Sequence, residues 1–117
     1  MGKKKLMADV IVADVVSSLR AIAIHGVGMA KALAIPSRRV RRRLYLHAMQ
    51  KTVAHAVETT AARLVEFPLK DLNELLTQIE DRHKALLHSI TIMWAKEILE
   101  TAIAIHPDMH LQRSSPR

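Results

Sequence analysis

Two stretches of the chain, residues 37–67 and residues 69–106, contain neither glycine nor proline. Such runs favour helix, because the residues that end a helix are missing while apolar positions recur three and four apart. In the first stretch the recurrence is Leu46, Met49, Val53, Val57, Thr60, Leu64 and Phe67, closed by Pro68. In the second it is Leu72, Leu76, Ile79, Leu86, Ile90 and Met93, interrupted by His83, then shifted to Trp94, Ile98, Thr101 and Ile105. An unbroken helix over residues 69–106 would be about 57 Å long, too long for one compact domain of this size. A break is therefore expected at Asp81-Arg82-His83-Lys84, with a long antiparallel hairpin used for self-association as the alternative.

The first third of the chain predicts shorter pieces. From Ala8 to Ile24, Val12, Val15, Val16, Leu19, Ile22 and Ala23 fall at helical spacing, and Asp9 suits the N-terminal end of a helix. The β-branched run Val10-Ile11-Val12 argues locally for a strand, but no second strand exists to pair with it. His25-Gly26-Val27-Gly28 predicts a C-cap and turn, followed by a short helix from Met29 to Ala34 that Ile35-Pro36 closes. Ser37 is a good N-cap for the next helix. The expectation is one all-α domain over residues 1–117, with a basic unit at 8–46, a helical bundle or assembly region at 46–106 and a flexible tail at 107–117.

Charge narrows the function. The chain carries a net charge of +7 and no cysteine, so disulfides, thiolate metal sites and thiol nucleophiles are excluded. Residues 1–51 hold eleven Lys or Arg against Asp9 and Asp14 alone, whereas residues 52–117 hold seven bases against nine acids. A half this basic suits a polyanionic partner: nucleic acid before an anionic membrane or an acidic protein face. The run from Leu6 to Pro36 carries Asp9, Asp14, Arg20 and Lys31, leaving no uncharged window that could span a bilayer. Met1-Gly2-Lys3-Lys4-Lys5 imitates the start of a signal peptide, but Asp9 and Asp14 interrupt the apolar region behind it. A cytoplasmic, nucleoid-associated protein without a membrane partner is expected.

Ser37-Arg38-Arg39-Val40-Arg41-Arg42-Arg43-Leu44 is the most informative stretch. At about 100° per residue the five arginines sweep roughly 200° of a helix, while Val40, Leu44 and His47 fall together on the other side. An arginine fork binds phosphate bidentately and also matches the O6 and N7 edge of guanine. Together with its upstream residues, the run MAKALAIPSRRVRRRL from Met29 to Leu44 resembles a helix-turn-helix DNA-binding unit. The resemblance implies that Ala30 and Leu33 lie on a first helix and Ile35 in the turn. Ser37 would cap a recognition helix whose Val40 and Leu44 face inward, with residues 8–24 as the supporting helix. Ala34 stands where that family usually places glycine in the turn. Arg38, Arg39, Arg41, Arg42 and Arg43, with Lys31 and Lys51, are the candidate nucleic-acid-binding residues. The competing reading is a solvated or protein-facing helix surface whose arginines pair with acids such as Glu80 and Asp81.

Chemistry beyond binding has little support. Gly26 and Gly28 lack the Lys-Ser or Lys-Thr of a phosphate loop, and neither Asp9 with Asp14 nor Glu80 with Asp81 surrounds a nucleophile. His106 and His110 are separated by Pro107, and His47 and His55 share a face without a third ligand, so no metal site and no cofactor are expected. His83 and His88 read as residues of an amphipathic helix. That Tyr45, Phe67 and Trp94 are the only aromatics argues against base-stacking folds too. A non-enzymatic, DNA-binding, helical protein leads. In size, helical character and basic surface the chain is also similar to the small helical subunit of CRISPR effector complexes, which implies a structural role in a ribonucleoprotein. The seam of residues 72–105 is expected to need a partner, either a second copy or another subunit of a larger assembly.

Overall fold

The computed structural model describes residues 2–32 and 37–109. They form α1 (Gly2–Ala32), α2 (Arg38–Leu64), α3 (Leu69–Arg82), a short 3-10 turn (Lys84–Leu86) and α4 (Ile90–Ile105). No strand occurs among the described residues, and Val10-Ile11-Val12 is helical. The fold is a small all-α bundle.

The largest departure from expectation lies in α1, which runs through Gly26 and Gly28 without a break to Ala32. The supporting helix and the first helix of the expected helix-turn-helix unit are thus one element of 31 residues. Glycine weakens a helix by about 1 kcal/mol relative to alanine, but unlike proline it keeps its backbone donor and introduces no clash. The turn assigned to Ala34, Ile35 and Pro36 lies outside the described residues. Because both glycines sit in helical backbone, Gly26→Ala and Gly28→Ala should each stabilise the protein by up to about 1 kcal/mol. A thermal scan should show each midpoint rising by a few degrees. A falling midpoint would restore a turn at that position.

Ser37 caps α2 as its chemistry dictates, its Oγ accepting from the Val40 N–H at 3.3 Å. The helix ends at Leu64, short of Phe67. The Glu66 and Phe67 N–H groups bond back to the Arg63 and Leu64 carbonyls at 3.4 and 3.0 Å, and Pro68 then opens α3. The break expected at residues 81–84 is present, with His83 as the C-cap of α3. Beyond it the 3-10 turn resets the helical phase. Leu86 and Met93, both expected in the seam, are therefore more than half exposed, while α4 buries Trp94, Ala95, Ile98, Leu99 and Ala102.

The four α-helices of the described residues converge on one core, in which Ala8 and Val12 meet Val57, Ala61 and Leu64, Leu72 and Leu75, and Ile98, Leu99 and Ala102. A second, smaller layer joins Leu19 and Ala23 of α1, Met49 of α2 and Trp94 of α4. The molecule is elongated, with a radius of gyration of 16.6 Å and extents of 59 × 26 × 22 Å, against about 13 Å for a compact chain of this length. Helix length explains it: α1 and α2 are about 46 and 40 Å long, whereas α3 and α4 reach about 21 and 24 Å.

The C-terminal end of the bundle is tied by His106, which is buried. Its Nε2–H donates to the Phe67 carbonyl at 2.7 Å, and its Nδ1 accepts from the Asp108 N–H at 3.1 Å. Those two bonds require the neutral Nε2–H tautomer. The ring clamps the end of α4 to the α2–α3 corner. The Met109 N–H also bonds to the His106 carbonyl, so the expected flexible tail starts no earlier than residue 110, where the described residues end. His106→Ala would leave the Phe67 carbonyl without its partner, and a denaturant titration should show a loss of about 1–3 kcal/mol.

Candidate nucleic-acid interface

The buried layers fix where the arginines stand. Pairing of Val12 with the Val57 level and of Leu19 and Ala23 with Met49 makes α1 and α2 an antiparallel hairpin. Among the described residues, nothing on α1 after Ala23 and nothing on α2 before Met49 is buried. Arg38 to Arg43 precede Met49 by six to eleven residues, which at 1.5 Å per residue places them about 9–16 Å beyond the last packed layer. The basic run thus stands at the end of the α1–α2 hairpin, the arm tip, beyond the last layer buried among the described residues.

Arg38, Arg39 and Arg43 are exposed, and among the described residues none of the three forms an ion pair. Pairing with Glu80 or Asp81 is thus not made by these three. Arg41 and Arg42 lie in the same helix, and Lys31 lies in the last turn of α1; the side chains of these three residues are outside the described set. Lys51 is exposed on α2, two residues beyond Met49, and Arg20, next to Leu19, is exposed at the same level of the hairpin. Arg20 was not legible as part of a basic group, because only the hairpin brings it level with Lys51. The lysines at positions 3–5 sit at the opposite end of α1, about 40 Å from the arm tip, so the basic half of the sequence is two separate regions in space.

One expectation is corrected here. Val40, read as an inward-facing residue, is 45% exposed, and His47 is exposed as well. The helical wheel gave α2 an apolar back, but at Val40 that back is left nearly half in solvent. A charge at Val40 would therefore not unfold the protein.

The electrostatics of this end is unfavourable in the absence of an anion. The first turn of α2 contains no acid, and five arginines crowd the end where the helix macrodipole is positive. A cation in the first turn is disfavoured by about 0.3–1 kcal/mol at low ionic strength, an effect that fades beyond it. An anion placed there would relieve this repulsion and meet first-turn N–H groups other than that of Val40, which Ser37 caps.

The remaining surface offers shallower chemistry. A groove along α4, lined by Leu87, His88, Met93, Lys96, Glu97, Glu100, Thr101 and Ala104, is open to solvent. Among the described residues no three His, Asp or Glu side chains gather as metal ligands. His47 and His55 both lie exposed on α2, while His106 is engaged with Phe67; His110 is outside the described residues. Among the described residues no helix is long and apolar enough to cross a membrane. Comparison with protein-family models, with curated proteins and with solved structures finds no match.

Proposed function

We propose that this is a non-enzymatic nucleic-acid-binding protein that grips phosphates with the arginine-rich start of α2. The supporting observation is the exposed, acid-free cluster at the tip of an arm projecting past the packed bundle. Arg38, Arg39, Arg41, Arg42 and Arg43 are the main contacts, and Lys31 and Lys51 extend the charged surface along the arm. Five neighbouring guanidinium groups suit a phosphate backbone better than a sequence code, since base readout needs spaced side chains held against a groove floor. The continuous α1 favours the same choice, because the helix-turn-helix resemblance then rests on the α2 end alone. Such a binder acts in the cytoplasm, on the nucleoid.

The second reading is a helical structural subunit of a CRISPR-type or other ribonucleoprotein complex, lining its nucleic-acid path. The elongated shape favours it, since a long, narrow bundle is suited to lie along a larger assembly. Binding of the isolated protein to duplex and to single-stranded DNA and RNA, with the parent and an Arg39→Ala, Arg43→Ala variant, tests both readings. Tight binding by the free protein that the variant loses supports the first. Binding only within a complex retained from cells, together with RNA, supports the second. A variant that binds like its parent rejects both.

A further inference from the structure

The helix α1 carries two apolar faces, and the bundle uses one. Ala8, Val12, Leu19 and Ala23 pack inward. On the opposite side, about 180° away at 100° per residue, Met7, Val10, Asp14, Ser17, Ala21 and Ile24 follow one another at spacings of three and four. This is the heptad spacing of a helix–helix seam. All six are exposed, Met7 at 58%, Val10 at 56% and Ile24 at 63%. Among the described residues no other helix covers them.

The order of residues in this seam identifies its occupant. Read from either end it is the same in kind: a large apolar residue, a smaller apolar residue, a polar residue, then polar, smaller apolar, large apolar. An antiparallel copy centred between Val15 and Val16 sets Met7 against Ile24, Val10 against Ala21 and Asp14 against Ser17. The Ser17 hydroxyl then donates to the Asp14 carboxylate of the other copy, twice, and no two carboxylates face each other. A parallel copy would stack Asp14 on Asp14, and a lipid surface would have to take in the same carboxylate. Ala13 and Ser18, small and exposed beside the seam, permit close approach of the two helices.

We propose that the outer face of α1 is a self-association surface, and that two copies pair antiparallel across Met7, Val10, Asp14, Ser17, Ala21 and Ile24. The proposal does not rest on the nucleic-acid reading. One helix pair over about 26 Å supplies about ten residues a side, against the 20–30 of a standard interface, so the dimer is reversible and in the micromolar range. The two arms then leave at opposite ends, with the last turns of α1 about 50 Å apart, and a dimer presents two basic tips to separate segments of a polyanion.

Sedimentation of the nucleic-acid-free protein between about 1 and 100 μM tests this in the concentration range the interface size implies. The parent should shift from monomer to dimer, whereas a Val10→Glu, Ile24→Glu variant with the parent's helical circular dichroism should stay monomeric. Orientation is read by crosslinking, which the cysteine-free chain makes unambiguous. A Met7→Cys protein mixed with an Ile24→Cys protein should form an intermolecular disulfide on mild oxidation, and neither should do so efficiently alone. A parent that stays monomeric throughout, a double Glu variant that dimerises like the parent, or an Ile24→Cys protein that crosslinks to itself as readily as in the mixture would each overturn the proposal. Arg39→Ala with Arg43→Ala should leave the dimer unchanged, so a failure of the phosphate reading is seen separately.

Discussion

Binding of this protein to duplex DNA should weaken by about two orders of magnitude between 50 and 200 mM salt. The figure follows from counterion release at about 0.9 ion per neutralised phosphate, with four of the seven candidate cations in contact at once. Five arginines within six residues cannot all reach one backbone, because they sweep more than half of the circumference of α2. The log–log slope should therefore lie at about −3 to −5. Removing Arg39 and Arg43 together should shallow it by about two units and weaken binding to all sequences alike, the mark of backbone contact. Both side chains are exposed and unpaired among the described residues, and alanine is the strongest helix former, so the variant should fold at least as well as its parent. Relief of repulsion at the positive end of α2 acts in the same direction. Fluorescence anisotropy at four salt concentrations measures the slope. An unchanged slope in the variant would assign the cluster to a solvated or protein-facing surface.

The sequence made most of the helices legible for one reason: two long runs without Gly or Pro leave helix as the only regular structure, and Pro68 marks the corner between them. The break at residues 81–84 could be placed from length and polarity alone. What stayed hidden was the phase of each helix against its neighbours. Leu86 and Met93 match the first seam by spacing, but the 3-10 turn intervenes; the shifted stripe holds at Trp94 and Ile98, which are buried, and fails at Ile105, which is 45% exposed, while Leu99 and Ala102 join the core unforeseen. Glycine at positions 26 and 28 suggested a turn because local propensity favours one by about 1 kcal/mol per residue; the flanking helical turns outweigh it.

The candidate site was legible as composition but not as shape. Five arginines within six residues can be read off the chain, but not how far their apolar back is covered, and Val40 is left 45% exposed. The double-faced character of α1 was partly visible in the apolar density of residues 7–24, more than one face needs. Only the bundle, by burying Val12 and Leu19 and leaving Val10 and Ile24 in solvent, separates the two stripes.

Leu99→Ala should be the most damaging conservative change in the molecule, at about 2–5 kcal/mol. Leu64, Leu72, Ile98 and Leu99 are the largest fully buried side chains, contributed by α2, α3 and α4 where the helices converge. Truncation there removes three carbons' worth of burial and leaves a cavity that close-packed neighbours on three helices cannot collapse to fill. The total stability of a domain is about 5–15 kcal/mol, and an elongated chain with two helices overhanging its core sits toward the low end. The variant should therefore lose more than about 10 °C in its thermal midpoint, whereas Met93→Ala, at a half-exposed position one turn and a half earlier on α4, should change it little. Leu99 also lies in a different buried layer from the one nearest the arm, which joins Leu19, Ala23, Met49 and Trp94. At a temperature where the variant is still folded, its affinity for nucleic acid should match the parent's. Loss of binding without loss of fold in Leu99→Ala would mean that the polyanion contacts the four-helix core and not the tip of the arm.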